Sequence, residues 1–118
     1  MSEYVVMFPA DNEPEAAARS DVDRQAVFDT DYEFGQLLAA RGGAVTGGAG
    51  LTPSSEARTL KRGPKANVLV TEGPFAESAE QLSGFFIVTC DDYDALVEAA
   101  RILTRAHPVV EIRPVKEF

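Results

Sequence analysis

The stretch VTEGPFAESAEQLSGFFIV, residues 70–88, decides the fold. Its first residues complete an apolar strand predicted over residues 68–71, and its last residues begin a second apolar strand over residues 84–90. Between these strands the chain breaks at Glu72-Gly73-Pro74 and continues through a polar segment. A carboxylate therefore stands at a strand end beside a rigid turn, and pockets often form in such places.

The other predicted elements follow from hydrophobic spacing and from turn residues. Strands are expected at residues 4–8 and 109–115, helices at about 23–41 and 93–105, and a β-hairpin at 57–62 and 67–71. Asp91-Asp92 would cap the second helix and Gly42-Gly43 would end the first. Residues 10–20 are predicted to be a loop with one helical turn.

The glycine-rich residues 44–51 have only weak strand character. They lack the Gly-Lys-Ser/Thr of a P-loop, and they follow a helix instead of opening one as a dinucleotide fingerprint would. Close packing of the backbone is therefore the favoured interpretation of these glycines.

Without the hairpin, the predicted order is βαββαβ, which is the ferredoxin-like α+β arrangement, in one domain over residues 1–118. Right-handed crossovers place both helices on one side of the sheet. Phe85 and Ile87 face one side of their strand and Phe86 and Val88 the other, so both sides are apolar. Exposing two such side chains would forgo about 1.5–3 kcal/mol each. We therefore expect a homodimer packed sheet against sheet, with a hairpin folded over that face as the alternative.

Composition excludes several classes of function. The net charge is −8, and residues 11–33 hold eight acidic and two basic side chains, which argues against nucleic-acid binding. No apolar run reaches the roughly 20 residues that cross a bilayer, and the N-terminus does not resemble a signal peptide. The single cysteine, Cys90, fits a reducing compartment, so a cytoplasmic location is expected.

Glu72 is the first candidate for chemistry. Gly73 allows backbone conformations that other residues rarely adopt, and Pro74 fixes its own φ. The turn would therefore hold the Glu72 carboxylate in one place. Partial burial would raise the pKa of Glu72 and suit it to proton transfer. The favoured alternative is structural, with Glu72 accepting backbone N–H bonds that lock the turn.

Four further side chains are weaker candidates. Glu77 is either an acid–base partner for Glu72 or part of a solvated helical turn in AESAEQL. Ser83 is a candidate ligand contact. Phe75 either lines a pocket or packs against neighbouring residues. His107, the sole histidine, suits acid–base work, although capping the preceding helix is the favoured interpretation. Neither a metal nor a cofactor is predicted, since the histidine and the cysteine each stand alone.

The same central stretch, together with DDYDALVEAARIL and VVEIRPV, resembles the YCII-related proteins of the DGPF type over about residues 43–115. The resemblance implies a dimeric α+β barrel of ferredoxin-like protomers. Glu72 stands where that family usually has Asp before Gly-Pro-Phe. The YCII branch is associated with a catalytic His-Asp pair, which is not transferred here because no histidine precedes His107.

Two functions are compatible with the sequence. The first is binding of a small polar metabolite in a cleft of the dimer, with acid–base catalysis by Glu72 of at most an isomerase or lyase type. The alternative is a non-catalytic regulatory or interaction module, and the resemblance associates some family members with alternative sigma factors.

Overall fold

The computed structural model describes residues 2–117. In chain order, its strands and helices are β1 (Ser2–Met7), β2 (Asp11–Asn12), α1 (Glu13–Ala17), α2 (Asp21–Ala39), β3 (Ala44–Gly50), β4 (Arg58–Arg62), β5 (Val68–Glu72), β6 (Glu80–Gln81), β7 (Gly84–Cys90), α3 (Tyr93–Ala100) and β8 (Glu111–Pro114). Short 3₁₀ turns occur at Ser54–Glu56, Pro64–Ala66 and Arg101–Arg105. None of the helices in residues 2–117 has the length and apolar character that a membrane crossing requires.

The central element is a four-stranded sheet in the order β3-β7-β1-β8, with antiparallel neighbours throughout. Helices α2 and α3 pack against each other and over the same face of this sheet. The protein is therefore an α+β protein whose helices cover one sheet face, as the sequence predicts.

The core lies between that face and the helices. Val6 and Val88 are its fully buried strand residues, and Phe34, Leu38 and Leu96 are among its fully buried helix residues. In α2 the buried Phe34 and Leu38 are four residues apart, so they lie on one side of the helix. The apolar spacing that predicted this helix thus reports its inner face correctly.

Two helix ends follow the predicted capping chemistry, and a third is capped by a residue that was not predicted. The Asp92 side chain accepts a hydrogen bond from the Ala95 N–H at 3.2 Å and begins α3. Ser20 accepts from the Asp23 N–H at 3.1 Å, so α2 begins two residues earlier than its apolar pattern suggests. Beyond α2, Gly42 has a φ of 81°, a conformation that glycine adopts without strain, and this turns the chain into β3.

The second face of the sheet carries apolar side chains that are not covered by the helices of residues 2–117. Val5 pairs with Ile87 and Met7 with Phe85 across β1 and β7, and all four residues are half-buried. They lie outside the core cluster, whereas their neighbours Phe86 and Val88 belong to it or pack on it. The predicted two-sided apolar character of β7 is therefore present in the fold.

The β4–β5 hairpin does not cover this face. Its strands form a separate two-stranded sheet, and Leu60, Val68, Leu69 and Val70 are 53–64% exposed. The alternative in which the hairpin folds over the open face is therefore not supported. The hairpin instead extends away from the core and presents an apolar surface of its own.

The segment AESAEQL differs from its predicted helical turn. Gln81 pairs with Asp11 and Glu80 with Asn12, so β6 forms a short antiparallel ladder with β2. The Gln81 side chain also donates to the Ala76 and Ser78 carbonyls, which holds the preceding bends. Hydrogen bonds to a distant segment outweigh the local helical pattern here.

Candidate active site

The candidate site is centred on His107, which lies between two carboxylates. Its Nδ1 is 2.8 Å from Asp11 Oδ2, and its Nε2 is 3.2 Å from Asp31 Oδ1. Only 6% of the His107 side chain and 5% of the Asp11 side chain are exposed, against 26% for Asp31. Asp11 is thus the inner carboxylate of the site and Asp31 the outer one.

Several contacts fix the imidazole in this position. The Phe8 ring stacks on the His107 ring with their centroids 3.7 Å apart and an angle of 8° between the planes. The His107 backbone N–H donates to the Leu103 carbonyl at 2.9 Å. His107 therefore bonds a terminal carbonyl of the preceding 3₁₀ turn through its main chain, and its side chain takes no part in the cap. Its ring is turned inward toward the two carboxylates.

Asp11 is positioned by the end of β1 and by the β2–β6 ladder. Besides facing His107, its Oδ2 accepts a hydrogen bond from Ser83 Oγ at 2.5 Å. Its Oδ1 is buried and has no hydrogen-bond donor within residues 2–117. A buried acceptor without a partner is uncommon in folded proteins and occurs at functional sites. The inner part of the site therefore holds an excess of acceptors.

The charge state of His107 results from two opposing effects. Burial disfavours the imidazolium, but hydrogen bonds and charge interactions with Asp31 and Asp11 favour it, and together they raise the pKa of His107 above 6.5. As an imidazolium, the ring donates a hydrogen bond to each carboxylate. Near neutral pH the site can therefore hold a proton and release it to a bound molecule.

The site opens into a cavity of about 500 Å³, here called the His107 cavity. Its walls include His107, Asp31, Ser83, Phe86 and the glycine-rich part of β3. A volume of this size accommodates a small organic molecule.

Gly48 explains why the β3 wall is rich in glycine. Its φ is 140°, and a Cβ at this position would lie 2.3 Å from the Phe85 carbonyl oxygen. Only a residue without a side chain permits this approach of β3 to β7. The predicted close packing of the backbone is confirmed at Gly48, whereas a Cβ at Gly50 would meet no atom within 4 Å.

Glu72 lies in a different part of the molecule. It is exposed at the end of β5, opposite Arg58 across the hairpin, and it borders a small cleft with Ser55 and Ala57. None of the hydrogen bonds described within residues 2–117 involves its carboxylate, so the expected turn-locking bonds are not observed. The turn is held instead by the Gly73 N–H to the Ala57 carbonyl.

The other predicted binding residues are distributed over two regions. Ser83 belongs to the His107 cavity. Phe75 is 80% exposed with Lys61 Nζ 5.5 Å from its ring centroid, and Glu77 is exposed as well. Pro74 borders a separate shallow cleft beside Leu82. The structure thus unites His107 and Ser83 but leaves Glu72, Gly73, Pro74, Phe75 and Glu77 outside the His107 cavity.

Sequence reasoning missed Asp11 and Asp31. Asp11 is 96 residues from His107 along the chain, and Asp31 is 76 residues away. One local signal for Asp11 was available, because it is the first acidic residue after the buried strand and lies two residues beyond Pro9. Asp31 could not be separated from the other acids of α2 by pattern alone.

The arrangement does not form a metal site. His107 meets its two carboxylates through opposite edges of the ring, so the three side chains do not converge on one point. Elsewhere in the described part of the chain, no three His, Cys, Asp or Glu side chains come together as metal ligands.

The fold and this site describe a small α+β protein with a buried, carboxylate-flanked histidine beside a cavity. The family model of the YCII-related domain matches residues 4–118, and the chain belongs to that family. An uncharacterized protein of Rhizobium meliloti (strain 1021) is 39% identical over 69 residues, which are 56% of this chain and 55% of that protein. The chain thus spans about half the length of this relative.

Proposed function

We propose that the chain binds a small polar metabolite in the His107 cavity and that His107 acts there as a general acid–base. The observation that carries this proposal is a buried histidine with a carboxylate on each ring nitrogen, next to a cavity of about 500 Å³. Such groups cluster at functional sites because their proton affinity is adjusted by their neighbours.

The two carboxylates have different proposed roles. The buried Asp11 holds Nδ1 and orients the ring, in the way that a carboxylate positions a catalytic imidazole. Asp31 is more exposed and borders the cavity. A carbonyl or hydroxyl oxygen of the bound molecule would replace Asp31 at Nε2 and receive the proton from there.

The proposed architecture is a ferredoxin-like protomer in a dimeric α+β barrel. The order β3-β7-β1-β8 and the placement of α2 and α3 support the βαββαβ assignment, with the hairpin as an insertion. The half-buried apolar face formed by Val5, Met7, Phe85 and Ile87 supports a second copy packed on the sheet.

A thermal-shift screen of small metabolites tests the binding proposal, with His107→Gln, Asp31→Asn and Glu72→Gln as variants. We expect compounds that raise the wild-type Tm to lose this effect with the first two variants and to keep it with Glu72→Gln. Compounds that stabilise His107→Gln as strongly as wild type would contradict a site at His107. Selective loss with Glu72→Gln would instead favour the site predicted at the hairpin turn.

A second candidate is a non-catalytic interaction module whose partner would be another protein, such as an alternative sigma factor. The observation that favours it is the exposed hairpin with its apolar residues Leu60, Val68 and Val70. Opposed residues Leu60 and Val70 lie on one face of the hairpin, together with Val68. Leu60→Lys would abolish capture of a specific protein partner if this candidate holds, while metabolite binding at His107 would remain.

A further inference from the structure

A second cavity adjoins the His107 cavity along α2. It has a volume of about 460 Å³ and shares three wall residues, Asp31, Val45 and Phe86, with the first. The two cavities therefore lie side by side, with Asp31 at their junction. We call the second one the α2 groove.

The α2 groove is apolar, and the side chains that α2 contributes to it become smaller along the helix. Phe28, Tyr32, Gly35 and Ala39 follow one another at helical spacing along one side of α2. Large side chains stand at the start of this series and small ones at its end. Phe28 is 66% exposed and Tyr32 64% exposed, an unusual position for two aromatic rings that face a cavity.

Gly35 contributes directly to the depth of the groove. A Cβ at this position would only touch Val45 Cγ2 at 4.0 Å, so the fold does not exclude a side chain here. Glycine in the middle of a helix costs about 1 kcal/mol relative to alanine. The absent side chain leaves open space between α2 and β3.

We propose that the two cavities form one bipartite site for an amphipathic ligand, with an uncharged polar head at His107 and an apolar tail in the α2 groove. This inference rests on the proposed function of the His107 cavity and specifies the class of its ligand. The head would be a carbonyl or a hydroxyl, and the tail an alkyl chain or a ring.

The charges of the site argue for an uncharged head. Among the described residues that line the two cavities, Asp31 is the only carboxylate and His107 the only basic side chain, and Asp11 lies directly behind His107. An anionic head would meet two carboxylates and one imidazolium, together with the unpartnered Asp11 Oδ1. Since acceptors already exceed donors, a third anionic group is disfavoured.

Three probes separate head from tail: octanamide, acetamide and octanoate. Because the chain has one histidine, the His107 ring gives a single set of NMR signals that reports occupancy of the head position. Each methylene buried in an apolar groove tightens binding about four-fold. We expect octanamide to shift the His107 signals and to bind at least about 100-fold more tightly than acetamide, with octanoate binding more weakly than octanamide.

Two matched variants test the groove. Gly35→Leu places a leucine side chain in the α2 groove. Ala26→Leu places a leucine at an exposed position of α2 that lies outside both cavities. We expect Gly35→Leu to weaken octanamide binding at least about ten-fold and to leave acetamide unchanged, while Ala26→Leu changes neither.

Three outcomes would overturn the proposal. If octanamide shifts the His107 signals but binds no more tightly than acetamide, the tail groove is wrong and the proposed function survives. If Gly35→Leu weakens octanamide binding but the His107 signals never move, the head position is wrong, and the proposed function fails with it. The absence of octanamide binding up to its solubility limit rejects the bipartite site.

Discussion

At the scale of single residues, the fold brings together groups that lie far apart in the sequence. His107 follows the 3₁₀ turn after α3, Asp11 follows β1, and Asp31 lies within α2. The sequence identified His107 and Ser83 as candidates, but their partners depend on three-dimensional contacts. Local pattern favoured Glu72 because its turn is conspicuous, yet the structure places that residue on an exposed hairpin.

The raised pKa of His107 makes stability depend on pH. The folded state binds the proton more tightly than the unfolded chain does, so this stabilisation is complete below about pH 6.5 and is lost as pH rises through the higher folded pKa. Within residues 2–117, the charged groups in contact with the ring are Asp11 and Asp31. We therefore expect the unfolding free energy of the wild type to fall as the pH rises above about 6.5.

Denaturant unfolding across this pH range measures the effect. His107→Gln is the control, because it cannot titrate and should show a flatter profile, although its stability is lower at every pH. Equal slopes for the two proteins would show that other groups cause the dependence.

At the scale of elements, most of the fold could be predicted from the sequence. Capping residues and hydrophobic spacing located α2, α3 and β7, since these signals act within a few residues. The short β2–β6 ladder was not predicted, because Asp11 and Gln81 pair over a long separation and each strand has only two residues. The exposure of the hairpin's apolar side chains was not predicted either, because apolar residues in a strand suggest burial.

Two glycines of β3 provide a matched test of close packing. Gly48→Ala would place a Cβ against the Phe85 carbonyl at a φ of 140°, whereas a Cβ at Gly50 has no atom within 4 Å. We expect Gly48→Ala to lower the unfolding free energy by about 1–3 kcal/mol and Gly50→Ala to change it by less than about 1 kcal/mol. Chemical denaturation of both variants checks this, and similar values would refute the role assigned to Gly48.

At the scale of the whole molecule, two apolar surfaces formed by strands are left uncovered by residues 2–117. One is the open sheet face and the other is the hairpin. An isolated two-stranded hairpin is marginally stable in water, and apolar sheet faces are normally packed. Both features are explained if the working unit contains a second copy of the chain.

The dimer prediction can be tested with two surface variants. The mass of one chain is 12.7 kDa, and we expect light scattering to give about twice this value for the wild type. Ile87→Lys places a charge on the open sheet face and should yield folded monomers. Val97→Lys, at a 43% exposed position of α3, should leave the dimer intact. A wild-type mass near that of one chain would contradict the barrel.

The central claim is that two carboxylates hold His107 ready for proton transfer beside a cavity. The most direct measurement is an NMR titration of the His107 ring in the wild type, Asp11→Asn and Asp31→Asn. We predict a wild-type midpoint above 6.5 and a lower midpoint in each variant. A wild-type midpoint at or below 6.5, unchanged by either substitution, would contradict the claim.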